Sequence, residues 1–142
     1  MAEEDKVTRP PYYVHESTGI ECIDIVEKLG FNLGSAVAYV WRAGKKPGPG
    51  EASEAEVNEG REHDLKKAIW YLRRFQSRPD VVIWPPDSQE PYNVLIRRVD
   101  RVLSSCEEGT LLHEAMRLVT QILDGRGCAD VNLLIHRITV AL

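Results

Sequence analysis

The sequence predicts an all-α protein, a helical bundle of about five to six helices. Three observations predict it. Apolar residues recur at spacings of three and four along most of the chain. Glycine and proline punctuate those runs at intervals that suit helix ends. Only Val81-Val82-Ile83-Trp84 is β-branched and aromatic enough to suggest one short extended segment, at 81–84.

The elements follow in order. Residues 1–13 read as a flexible N-terminal arm ending in Pro10-Pro11-Tyr12-Tyr13. Thr18 with Glu21 three residues later forms a capping-box pattern for a short first helix, whose apolar stripe is Ile20, Ile23, Val26 and Leu29. Gly30 is a natural stop. Asn32 is placed to cap a second helix over 33–43, with Ala36, Val37, Val40 and Trp41 on its packing face and Gly44 at its end. Lys45-Lys46-Pro47-Gly48-Pro49-Gly50 cannot continue a helix and reads as a mobile loop. Ser53 and Glu56 repeat the capping-box pattern. A long third helix then runs to about Phe75 on Leu65, Ile69, Leu72 and Phe75. Gly60 weakens its acidic first part, so the loop insert is expected to extend over 45–60. Residues 78–91 read as a linker. The last part, 92–142, gives three more amphipathic helices, with Leu95, Val99 and Val102 on the first, Ala115, Met116 and Val119 on the second, and Leu134 and Ile138 on the third. Asp130 is placed to cap the last one. These three helices follow a stretch (14–77) that looks complete as a motif, so they are a candidate assembly interface.

Bulk properties narrow the function classes. With 142 residues, 43% hydrophobic and 28% charged, the chain can bury a core without disulfides or metals. Its net charge of −4 argues against a protein that coats nucleic acid, so nucleic acid is not an expected partner. Charge is segregated, however: six acids and one base lie between Glu51 and Asp64, then five bases and no acid between Lys66 and Arg78. Three widely spaced cysteines without a C-x-x-C pair suit a reducing cytoplasm and offer no zinc ribbon. The acidic N-terminus is not a signal peptide, and no apolar run approaches a membrane span.

Candidate chemistry concentrates in 31–46. On a helix, Ser35, Tyr39, Arg42 and Lys46 share one face, opposite Val37, Val40 and Trp41. Arginine beside lysine suits phosphate oxygens, and a tyrosine ring can stack on a base. In the third helix Asp64, Lys67, Tyr71 and Arg74 do the same opposite Leu65, Ile69 and Leu72. Two such helices could hold a nucleotide between them, although a charged stripe opposite an apolar one is also what any surface helix shows. There is no G-x-x-x-x-G-K-[ST] loop. Phosphoryl transfer here would rest on positioning and on charge neutralisation by Arg42, Lys45, Lys46 and Lys67. Mg²⁺ takes oxygen ligands, for which Glu21, Asp24 and Asp64 are the candidates. Glu21-x-x-Asp24 and Glu56-x-x-Glu59 reverse the order used by helical nucleotide pyrophosphohydrolases. His63-Asp64 is a dipeptide found in metal phosphohydrolases, but two adjacent residues carry almost no weight; His113 and His136 lack ligand-spaced partners, and Trp41 and Trp70 sit near apolar stripes and read as core.

The pattern from His15 through Leu72 resembles a family of small phage proteins catalogued as a domain of unknown function. The matching pieces are His15, Gly19-Ile20-Glu21 with Asp24, Phe31-Asn32-Leu33-Gly34, Tyr39-Val40-Trp41-Arg42-Ala43-Gly44-Lys45-Lys46, and Asp64-Leu65-Lys66-Lys67-Ala68 followed by Trp70-Tyr71-Leu72. That family includes a phage nucleoside monophosphate kinase that lacks a Walker motif and assembles as a homo-oligomer. The resemblance implies a phage-encoded, nucleotide-binding protein of the host cytoplasm, with ATP or another nucleotide as ligand and Mg²⁺ as cofactor. It implies His15, Asn32, Tyr39, Arg42, Lys45, Lys46, Lys67 and Tyr71 as nucleotide contacts, and Arg42, Lys46 and Asp64 as the catalytic set. The alternatives are a protein that sequesters a nucleotide to counter host defence signalling, or a structural helical oligomer. The family pattern often has Asn and Lys where this chain has Ser35 and Ala38, which removes one potential phosphate contact.

Overall fold

The computed structural model describes residues 10–45, 53–79, 92–125 and 130–142. Among them lie a 3-10 turn, Pro11–Tyr13, and six helices: α1 (Ile23–Val26), α2 (Phe31–Arg42), α3 (Glu54–Ser77), α4 (Tyr92–Ser105), α5 (Leu111–Leu123) and α6 (Val131–Ala141). The all-α expectation holds, and none of the described helices is long and apolar enough to cross a membrane. The expected extended segment at 81–84 and most of the 78–91 linker lie outside the described residues, as do Lys46 and Cys128.

The chain between the arm and α1 differs from expectation. Thr18 does not cap a helix; its hydroxyl accepts from the Ile20 N–H at 3.2 Å, closing a local turn. Gly19 takes φ +72° there, a conformation that costs glycine least. The turn lets the His15 N–H reach the Ile20 carbonyl at 2.9 Å and pairs Val14 with Glu21 in an isolated antiparallel bridge. Tyr13, expected in a flexible arm, is thereby packed against the core. The first helix is only four residues long, and Asp24 reaches back to accept from the Glu21 N–H at 3.3 Å.

Helix α2 starts at Phe31, with Gly30 rather than Asn32 at the N-cap (φ −63°, ψ 162°). Asn32 is already in the first turn, so it cannot cap. Gly34 is where α2 passes α1 most closely: a Cβ there would sit 2.8 Å from the Val26 carbonyl oxygen. In α3, Ser53 accepts from the Glu56 N–H and donates to the Glu56 carboxylate, both at 3.2 Å. The helix then runs unbroken through Gly60 to Ser77, so the insert expected as loop over 45–60 is helical from Glu54 onward. One glycine costs only about 1 kcal/mol, less than the cap and the packed second half return. Helix α5 begins on a Thr110 cap, while Asp130 stands at the α6 N-cap position without a side-chain capping bond.

Helices α2 and α3 form the principal pair, α5 packs against α2, and α6 packs against α3. Trp41, Phe75, Leu65, Leu72, Met116 and Ile138 are fully buried in one shared core. The apolar stripes expected of α4, α5 and α6 contribute Leu95, Val99, Met116, Val119, Leu134 and Ile138 to that core, while Leu133, Val140 and Leu142 remain exposed at the end of the chain. Trp70 reverses its expectation: it is 60% exposed rather than core.

Candidate functional site

The site is organised by one ion pair. Asp64, on α3, is buried at 8% exposure, and Arg42, at the end of α2, meets it edge-on. Arg42 Nη2 lies 2.6 Å from Asp64 Oδ1, and Nε lies 3.3 Å from Oδ2. This two-pronged geometry suits a guanidinium and carboxylate. The third prong, Nη1, donates to the Tyr13 hydroxyl at 3.3 Å. The bond to Asp64 raises the Arg42 pKa further, and burial raises that of Tyr13. The arginine thus ties the N-terminal turn, α2 and α3 together, where the sequence reading had it free on a polar face.

A cleft of about 500 Å³ opens beside this pair. Its walls are Tyr12 from the 3-10 turn, Arg42, Gly44 and Lys45 from the end of α2, and Glu56, Glu59, Arg61, His63 and Asp64 from α3. Gly44 takes φ +80° and packs against the Arg61 side chain, its ideal Cβ position 3.4 Å from Cδ. Arg61 in turn donates to the Ala141 carbonyl at the end of α6, at 3.1 Å. The Lys45 ammonium lies 5.6 Å from the Trp41 ring centroid, and desolvation lowers its pKa. Three cations and three carboxylates therefore face one space of a size typical for small-molecule sites.

A second group of expected residues lies apart from the cleft lining. Tyr39 and Tyr71 stack at 5.8 Å with their planes 13° apart. The Arg42 guanidinium carbon and the Lys67 ammonium each lie 5.3 Å from the Tyr39 centroid. Phe31 and Trp70 extend the row, meeting Tyr71 edge-on at 5.8 and 5.0 Å.

The remaining expected residues are elsewhere. His15 is held by Thr18, with 2.9 Å between Nδ1 and Oγ1, and packs edge-on against Trp41 at 6.1 Å. Its Nε2 is 3.9 Å from Cys106 Sγ, and burial, followed by the charge of Lys45, lowers its pKa. Burial likewise pushes the Cys22 thiol up to about 12, which makes it a poor nucleophile. Asn32 does not line the cleft. The proposed ligand set Glu21, Asp24 and Asp64 is not assembled: Glu21 borders a separate apolar groove, an Asp24 oxygen accepts from the Glu21 N–H, and both Asp64 oxygens meet Arg42. Among the described residues no three His, Cys, Asp or Glu side chains are grouped to hold a metal. Sequence reasoning missed Tyr12, Tyr13 and Arg61 as site residues, and had Glu56 with Glu59 only as a reversed pyrophosphohydrolase-like pair. Two prolines ahead of Tyr12-Tyr13 were the available signal, since they restrict the backbone and hold that turn.

Residues 7–73 match the model of a family described only as a protein of unknown function, DUF3310. The matched stretch contains every residue of the cleft wall and stops before α4. No curated protein and no solved structure matches the chain.

Proposed function

We propose that this protein binds a nucleotide in the Arg42–Lys45–Arg61 cleft and acts as a nucleoside monophosphate kinase without a P-loop. The observation that carries the reading is convergence. Arg42 and Lys45, from one stretch of sequence, and Asp64, from another, face one cleft with Tyr12 at its edge. Cations at the mouth suit phosphate oxygens, and the tyrosine suits a base or sugar face. In such a transfer an oxygen of the monophosphate forms a bond to the γ-phosphorus while the bond to the β–γ bridging oxygen breaks, giving two diphosphates. Lys45 and Arg61 would offset the spread charge, and the Arg42–Asp64 pair would hold the walls in place. The resemblance would place this activity in the cytoplasm of a phage-infected cell.

A second reading, binding without turnover, has its own support. The Arg42 guanidinium is engaged by Asp64 and Tyr13, which leaves fewer mobile cations for a transferring phosphoryl group. The expected three-carboxylate Mg²⁺ set is also not brought together.

Thermal shift against nucleoside mono-, di- and triphosphates and cyclic nucleotides, each with and without Mg²⁺, tests both. A ligand that prefers the folded state raises the melting temperature, by RT ln(1 + [L]/Kd) in stability. The expected result is a shift with ATP and with a monophosphate, abolished in Lys45→Met, and diphosphate formed when both are present. A shift without diphosphate selects the binding reading. No shift with any nucleotide overturns both.

A further inference from the structure

We infer that the outer face of α3, separate from the cleft, is a docking surface for single-stranded nucleic acid. Trp70 stands at its centre, 60% exposed. Lys66, Lys67, Arg73 and Arg74 lie three or four residues before and after it, so all four cations flank the indole on one face. Phe31, 71% exposed at the start of α2, continues the row of rings through Tyr71. A tryptophan this open is uncommon, and a contiguous set of rings is different in kind from a single surface apolar residue.

Charge complementarity identifies the occupant. From Leu65 to Pro79 the chain has five bases and no acid. Of the carboxylates that precede this stretch on α3, Glu62 is engaged by Lys66 at 3.0 Å and Asp64 is turned inward onto Arg42. A partner must therefore be anionic along its length and offer flat rings. Single-stranded DNA or RNA does both, since its bases are free to stack while its phosphates run alongside the cations. A duplex hides its base faces, and an acidic peptide gives the indole nothing to stack on. The net charge of −4 concealed this face at the level of the whole sequence, because the acids lie outside the stretch from Leu65 to Pro79.

The test is fluorescence anisotropy of end-labelled oligothymidylate and oligouridylate, each about 12 nucleotides long, a length within single-strand site sizes. The two probes separate DNA from RNA, and binding of either supports the proposal. With Lys66 held by Glu62 and Lys67, Arg73 and Arg74 each neutralising one phosphate, affinity should fall by roughly 20-fold between 50 and 200 mM salt, from a slope of about −0.7 per phosphate contact. Trp70→Ala should weaken binding about tenfold, and Trp70→Phe should restore most of it, a rescue that loss of charge alone would not give. Arg73→Gln with Arg74→Gln should reduce the salt slope by about 1.4. Arg137→Gln, on the exposed side of α6, should change nothing. Equal affinity for a duplex of the same length, or wild-type affinity in folded Trp70→Ala, overturns the proposal. So does absence of binding, and if sedimentation then shows a dimer that Trp70→Ala dissociates, the face belongs to a second copy of this chain. The cleft variant Lys45→Met should leave oligonucleotide binding intact, so failure here and failure of the nucleotide reading are separately visible.

Discussion

The Arg42–Asp64 pair should be a stability element before it is a ligand contact, and a double-mutant cycle can measure this. Removing one partner of a fully buried ion pair costs about 3–5 kcal/mol, because the other charge is left desolvated. A surface pair is worth only about 0.2–1 kcal/mol. Here the side chains are 34% exposed for Arg42 and 12% for Asp64, so the pair lies between those limits. Two charge-assisted hydrogen bonds in that setting give about 2 kcal/mol of coupling. Arg42→Met and Asp64→Asn should each lose about 2 kcal/mol in urea unfolding. The double variant should lose only slightly more than either alone. In a thermal scan each single change corresponds to a fall of roughly 6 °C for a chain of this length. Losses that add to within about 0.5 kcal/mol would refute the reasoning, since they would show that the two residues do not depend on each other. The cycle also bears on function: a fall in nucleotide affinity in an Arg42 variant would mix lost contact with lost architecture, whereas Lys45→Met reads the contact more directly.

Three other perturbations test the packing and the titration. Trp41→Ala removes a ring that is 1% exposed and should cost about 3–5 kcal/mol in chemical denaturation; a melt like that of the wild type would show the α2 faces assigned backwards. Gly34→Ala forces a Cβ to 2.8 Å from the Val26 carbonyl oxygen and should cost about 1–3 kcal/mol, despite alanine's better helix propensity; a gain in stability would mean the α1–α2 approach is looser than described. Burial holds the His15 pKa below its usual 6.5, so the unfolded chain takes up a proton before the folded one does. The stability that this contributes is complete above about pH 6.5 and is lost as pH falls through the folded value. His15→Gln should flatten that part of the melting temperature profile, and an unchanged slope below pH 6.5 would assign the effect to another group.

What the sequence made legible was periodicity and its strongest punctuation. The apolar spacings located α2 through α6, Gly44 marked the end of α2, and the Ser53–Glu56 pattern marked the start of α3, which Gly60 then obscured by suggesting a loop as far as residue 60. These signals are local, so they survive without knowledge of what packs where. Thr18 and Asn32 misled because the same polar side chains serve turns and caps equally well. Nothing within a few residues of Thr18 says that Val14 will pair with Glu21 and leave its hydroxyl to a turn. Trp70 misled because an indole beside an apolar stripe is usually buried; only the position of α2 and α6 against α3 decides which side of the stripe is covered. The Arg42–Asp64 bond joins residues 22 apart across a segment of no fixed spacing, and helical phase alone could not align them.

The cleft belongs wholly to the family-matched stretch, yet its shape depends on helices outside it. Arg61, one wall, is held by the carbonyl of Ala141 at the end of α6. Trp41, beneath Lys45, packs against His15, which touches Cys106 just past α4. Helix α5 packs against α2, the element that carries Arg42. A chain ending at residue 91 would keep every residue of the cleft wall and still lose Leu95, Met116, Val119, Leu134 and Ile138 from the shared core. The faces of Ile25, Leu33, Leu65 and Leu72 that pack in that core would then lose part of their cover. At roughly 1.5–3 kcal/mol of gross burial for each apolar side chain removed, the loss is of the same order as the whole stability of an ordinary domain. The truncated chain should therefore show no cooperative melt and bind no nucleotide, as read by circular dichroism and titration calorimetry. A folded, binding-competent 1–91 fragment would mean that α4–α6 were added to a self-sufficient unit, and would shift the search for their role from scaffolding to partners.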